Sequence, residues 1–202
     1  FEAGGFVIDA GQPTEAFTAR VPPSGAWRVP AVAHRATLPT TWRFVLVRPT
    51  VRPGRSGAHE ETTMRAVVEA ADAAPAAAID AVIDEQLLPA VAAGDLSGFG
   101  AALAAIDREN GRWYTDAQGG THRGALDGLV DALAAAPGCV GTGQSSWGPT
   151  VYGVTDRTAA PTVAAAAEAA LRDCGLEGTV TVAAPRDRGA RCVAGATRAE
   201  RV

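Results

Sequence analysis

Residues 141–153 read GTGQSSWGPTVYG, the densest run in the chain of side chains able to do chemistry. Gln144, Ser145 and Ser146 can donate and accept hydrogen bonds, and Trp147 offers a flat face to an aromatic or ribose ring. Gly143 and Gly148 permit close backbone approach, and a run of N–H groups in such a turn can hold an anion. A hairpin needs only two or three turn residues. The length and polarity of this turn therefore favour a binding loop over a buried hairpin with a structural tryptophan. A second segment, WYTDAQGGTHR at 113–123, sets Gln118, Gly119 and Gly120 between two helical patterns. It reads equally well as a ligand-facing connection and as a plain turn. His122 or Arg123 is expected at the start of the following helix, where the dipole favours an anion.

Weaker candidates lie upstream. RPGRSGAHEE at 52–61 is basic and glycine-rich before a helix start, and a solvated loop explains it better than a phosphate site. Asp9, after the apolar GGFVI, is a candidate metal or hydroxyl partner, although a lone Asp in a turn usually caps its own backbone. His34 and Arg35 precede LPTTWRFVLV and read as anion binders at a sheet edge or as plain surface.

What the chain lacks narrows the chemistry further. All 18 basic residues are arginine. Without lysine there is no Schiff-base nucleophile, pyridoxal-phosphate anchor or P-loop lysine, so any side-chain contact to phosphate or carboxylate falls to arginine, whose planar fork suits both. A GC-rich genome that favours Arg and Ala codons explains that bias better than a functional reason does. The three cysteines and three histidines are scattered, without CxxC or HExxH spacing, so no structural metal is expected. A net charge of −4 argues against nucleic acid as a partner. No apolar run reaches membrane-spanning length, and the expected location is the cytoplasm. The opening FEAGGFVIDAG, apolar and without an initiating methionine, reads as the later part of a longer protein.

The elements that must position these residues follow from periodicity. Residues 1–10 and WRFVLVRP at 42–49 read as strands, with 12–31 mostly irregular around four prolines. Helices are expected at 60–74, 76–93, 95–110 and 122–136, with Pro89 kinking or breaking the second and Asp95 capping the third. Short strands near 138–142 and 150–155, a helix at 159–173 and a strand at 179–184 complete the order. Strands and helices in that order predict an α+β domain, an antiparallel sheet with helices packed on one face.

Taken together, GQSSWGPTVYG, the QGG after WY, GGFVIDAG and PTTWRFVLVRP resemble the β-ribofuranosylaminobenzene 5′-phosphate synthase family. That family is a branch of the GHMP kinase superfamily used in methanopterin biosynthesis, and the resemblance runs collinearly from Phe1 to about Ala190. It implies a remnant of the N-terminal GHMP-type domain at 1–40, a C-terminal GHMP-type α+β domain at 41–190 and a disordered tail at 191–202. It further implies that phosphoribosyl pyrophosphate condenses with 4-aminobenzoate or 4-hydroxybenzoate, releasing carbon dioxide and pyrophosphate, with Mg²⁺ carried on the substrate and a homodimer as the working form. On this reading Gln144, Ser145, Ser146 and Trp147 are the catalytic set, the serines holding a phosphate and Trp147 walling a ring. Gln118, Gly119, Gly120, Gly143, Gly148, His34, Arg35 and Asp9 contact substrate. The superfamily's first glycine-rich phosphate loop is absent from this sequence. An ATP-dependent small-molecule kinase and a non-catalytic homologue are the alternatives.

Overall fold

The computed structural model describes residues 4–10, 30–51, 62–63, 66–67, 74–124 and 126–189. The loop expected at 52–61, most of the helix expected at 60–74 and the tail expected at 191–202 lie outside these residues. The chain divides into two units, Phe1–Leu38 with Arg186–Val202, and Pro39–Pro185.

In the first unit β1 (Phe6–Asp9) pairs antiparallel with β2 (Val32–Ala36), Phe6 facing Ala36 and Ile8 facing His34. The strand over His34 and Arg35 was not expected from the sequence. The Arg35 guanidinium donates to the Gly4 carbonyl at 2.9 Å and the Asp187 carbonyl at 3.1 Å, so it joins segments of its own unit.

The second unit is built on a four-stranded antiparallel sheet in the order β4–β5–β3–β6, from β3 (Trp42–Pro49), β4 (Gly141–Gln144), β5 (Val151–Asp156) and β6 (Gly178–Ala183). Successive side chains on a strand point to opposite faces. Val45, Val47 and Val151 share one face, where Leu129 and Leu133 of α5 (Leu126–Ala134) and Val163 and Ala167 of α6 (Ala160–Asp173) bury them. Each such side chain contributes about 1.5–3 kcal/mol by leaving water. This is the expected α+β arrangement on an antiparallel sheet, but the helices are not confined to the one face expected for them. Against the opposite face α3 (Leu96–Trp113) adds a second cover, its Phe99 meeting Trp42 and Phe44 at centroid distances of 4.8 and 6.3 Å.

Two glycines allow that second cover. A Cβ on Gly141 would strike the Gly100 backbone, so α3 reaches β4 only because both positions lack a side chain. Asp95 caps α3 as expected, its carboxylate accepting the Ser97 N–H at 3.0 Å. Upstream, α1 (Ala74–Val82) passes through a π-helical turn (Ile83–Leu87) into α2 (Leu88–Ala93). The break expected at Pro89 takes this form: the Leu88 N–H reaches the Ile83 carbonyl, and the widened turn stands directly before the residue that has no N–H to give.

Replacing Gly141 by alanine is expected to cost about 1–3 kcal/mol, the usual penalty of overpacking, and to loosen α3 from β4. Urea denaturation of Gly141→Ala measures it; unchanged stability would show that the helix–strand contact is not tight.

Candidate functional site

The last turns of α3 place Asp107, Asn110, Gly111 and Tyr114 on one face, three and four residues apart. Facing them are Gln118 and Thr121, from the short helix α4 (Thr115–Gln118) and the bend after it, and Gln144, Ser146 and Trp147, from β4 and its turn. These nine residues line a cavity of about 240 Å³. Trp147 is buried, its ring edge-on to Tyr114 at 5.2 Å.

His122 ties these pieces together. Its Nε2 stands 2.7 Å from Asp107 Oδ2 and its Nδ1 2.6 Å from Asp127 Oδ1, with the imidazole and Asp107 both buried. The Asp107 bond holds the imidazole above its ordinary pKa, burial opposes this, and Asp127 reinforces it. A ring with an acceptor at each nitrogen is satisfied only as the imidazolium, which donates twice. Asp107 then uses its second oxygen, Oδ1, to accept the Gln144 N–H at 2.8 Å. Gln144 continues the chain: its Oε1 accepts the Arg123 N–H at 2.8 Å, and its Nε2 donates to the Ser146 carbonyl at 2.6 Å and to Gln118 Oε1 at 3.3 Å. Gln118 Nε2 closes the network on the Thr121 carbonyl at 2.6 Å.

Gly143 makes room for this arrangement. A Cβ there would stand 2.5 Å from the Tyr152 hydroxyl and 2.7 Å from Asp107 Oδ1. Burial, then the Asp107 charge, pushes the Tyr152 phenol up, and burial alone raises Tyr114, so both remain protonated hydroxyls.

The structure corrects two expectations. The helix after the QGG segment begins at Leu126, so His122 does not sit at its start as an anion binder; the ring turns inward between two carboxylates, which leaves it no room for an anion. The 141–153 loop is half strand, because β4 runs through Gln144. Only 145–150 turns, with Ser146 left-handed at φ 53° and a cis Gly148–Pro149 bond. The N–H groups of Gln144, Ser145 and Gly148 are spent on Asp107, the Thr150 carbonyl and the Ser145 carbonyl, so the backbone cradle expected for a phosphate has these donors already engaged.

Of the sequence candidates, Gln118, Gln144, Ser146 and Trp147 meet at one cavity. Ser145 is exposed, and Gly119 ends α4 with φ 85°, followed by Gly120. Asp9, His34 and Arg35 belong to the first unit. Asp107, Asn110, Tyr114 and Thr121 escaped the sequence reading, although the polar residues at 107, 110 and 114 repeat at helical spacing. Among the described residues no three His, Cys, Asp or Glu side chains gather as a metal site. The two carboxylates near the cavity are bonded to His122, so the donor set does not fit a resident Mg²⁺.

A raised folded-state pKa means the His122 clamp stabilises fully below the unfolded histidine value, about 6.5, and is lost as pH rises through the folded value. Unfolding free energy should therefore fall as pH rises above neutrality, and His122→Asn should flatten that slope. A slope of opposite sign in urea titrations across this range would contradict the clamp.

Comparisons with known proteins agree with this architecture. The family described as GHMP kinases C terminal matches residues 87–173. Over 191 residues the chain is 27% identical to the beta-ribofuranosylphenol 5′-phosphate synthase of Methanothermobacter thermautotrophicus, a match covering 94% of this chain and 55% of that protein. The chain thus spans about half the length of the curated relative it matches. Among solved structures it resembles the Lin0012 protein of Listeria innocua, with TM-score 0.60 and 14% identity over 90% of this chain and 53% of that one. It also resembles the phosphomevalonate kinase of Streptococcus pneumoniae, with TM-score 0.57 and 13% identity over 84% and 50%. Identities this low speak to the fold alone. No helix among the described residues is long and apolar enough to cross a membrane. With the family match, the synthase relative and the kinase structures in agreement, residues 87–173 are similar to the C-terminal domain of GHMP kinases, and the chain has that fold.

Proposed function

We propose that this protein takes part in a decarboxylating phosphoribosyl transfer, in which phosphoribosyl pyrophosphate condenses with 4-hydroxybenzoate or 4-aminobenzoate to give an aryl C-riboside phosphate of methanopterin biosynthesis. The observation that carries the reading is the cavity walled by Gln144, Ser146, Trp147 and Tyr114, polar and aromatic at once, in a chain similar to a ribofuranosylphenol phosphate synthase. The relative's name favours the hydroxy acid over the amino acid.

The chemistry needs little from the protein beyond placement and electrostatics. The ribosyl C1–O bond breaks and its electrons leave with pyrophosphate. The ring carbon bearing the carboxylate attacks C1, and loss of carbon dioxide returns the electron pair to the ring. No covalent nucleophile is required, in keeping with a chain without lysine. Two carboxylates against one imidazolium leave the wall beside the cavity net negative, which stabilises the positive charge that develops at the sugar centre only during transfer. Gln118 and Gln144 orient hydroxyls, and the Tyr114–Trp147 pair shields the ring from water. Any Mg²⁺ rides on the pyrophosphate. On this reading the enzyme is cytoplasmic and works as a homodimer.

A second reading, an ATP-dependent small-molecule kinase, is favoured by the kinase family whose C-terminal domain matches residues 87–173. The protein expressed from its complete reading frame, given phosphoribosyl pyrophosphate, Mg²⁺ and carboxyl-labelled acid, should release labelled carbon dioxide only when both substrates are present. Trp147→Ala should lower that rate by about tenfold or more, as loss of a positioning contact does. ADP formed from ATP and a small alcohol, with no carbon dioxide released, would establish the kinase instead.

A further inference from the structure

The cavity's lining has a property that the transfer reading does not specify: among the described residues it contains no cationic side chain. Asp107 is the one charged residue among the described lining, and the others are the amides of Asn110, Gln118 and Gln144, the hydroxyls of Tyr114, Thr121 and Ser146, bare Gly111 and the Trp147 ring. Behind Asp107 the imidazolium of His122 is shared with Asp127, so one net negative charge remains. A phosphate, pyrophosphate or benzoate carboxylate placed there would face the Asp107 carboxylate with no cation among the described lining residues to pair with, and like charges repel. At about 240 Å³ the cavity is smaller than the pockets that hold drug-sized ligands and admits a single ring. Amides and hydroxyls around an aromatic pair suit a ring that carries hydroxyl groups.

We propose that this cavity is a subsite for an uncharged, hydroxyl-bearing ring, which keeps the phosphates and the carboxylate of the substrates outside it. The inference rests on the transfer reading for the two sources of such a ring, the ribose and the phenol. The selection against anions is a property of the cavity itself and stands apart from turnover. It also explains why the turn spends its N–H groups internally: this wall has no phosphate to hold.

The test follows the Trp147 indole N–H signal by NMR, assigned through Trp147→Phe, while each of four probes is titrated into the full chain. Phenol and methyl β-ribofuranoside are the neutral probes, and 4-hydroxybenzoate and ribose 5-phosphate are their anionic counterparts. At least one neutral probe should shift the signal, binding about tenfold more tightly than its counterpart. Asn110→Arg, an exposed position on the cavity wall, should reduce that preference by a similar factor without disturbing the buried clamp. Which neutral probe binds identifies the source of the ring. Equal or tighter binding of the anionic counterpart would overturn the proposal even where carbon dioxide is released, as would failure of both neutral probes to shift Trp147. Selective binding of a neutral ring in a protein that releases no carbon dioxide would leave the subsite standing and sink the transfer reading.

Discussion

An imidazolium held at 2.7 Å from Asp107 and 2.6 Å from Asp127 is the interaction on which the candidate site depends, because it joins two helices through the bend between them. Asp107 comes from α3, His122 from the bend after α4 and Asp127 from the first turn of α5. The second oxygen of Asp107 extends the clamp to the Gln144 backbone and so fixes the strand that leads into the turn. Charge-assisted hydrogen bonds of this kind are the strong ones, and in a buried setting each leaves an expensive orphan if its partner is removed. The side chains of Gln118 and Gln144 are the polar links that carry this order into the cavity.

The packing beneath this network permits it. Gly100 and Gly141 let α3 lie directly on the edge strand, which brings Asp107 within reach of Gln144. Gly143 then leaves space for both the Asp107 carboxylate and the Tyr152 hydroxyl. On the far side of the sheet, the valines of β3 and β5 and the leucines of α5 hold that strand in place through a dry core. Gly141 and Gly143, both in the glycine-rich run, thus serve close packing between a helix and a sheet.

The sequence showed the elements with strong periodicity and hid the contacts between them. WRFVLVRP is a strand because it is short, β-branched and stopped by proline, and the structure places a strand over those same residues. The four residues Gln118, Gln144, Ser146 and Trp147 were legible because polar and aromatic side chains crowd a glycine-rich stretch. Asp107 was not. It sits mid-helix among DREN, a composition typical of any solvated face, and only the fold turns it toward His122. The inward turn of His122 was hidden for a related reason: the periodicity of 122–136 suggested a helix beginning there, whereas residues 121–124 stay out of it and His122 bonds to a carboxylate on each flanking helix. Pairing that depends on how neighbouring elements pack leaves no periodicity to read.

The central claim is that His122 is a doubly donating cation at neutral pH, and the ¹⁵N resonances of its ring report this directly. In histidine-labelled protein near neutrality, both His122 nitrogens should carry protons and should lose one only above the pH at which ordinary histidines titrate. A neutral ring with one bare nitrogen at that pH would contradict the account, since one of the two carboxylates would then face a lone pair instead of a donor.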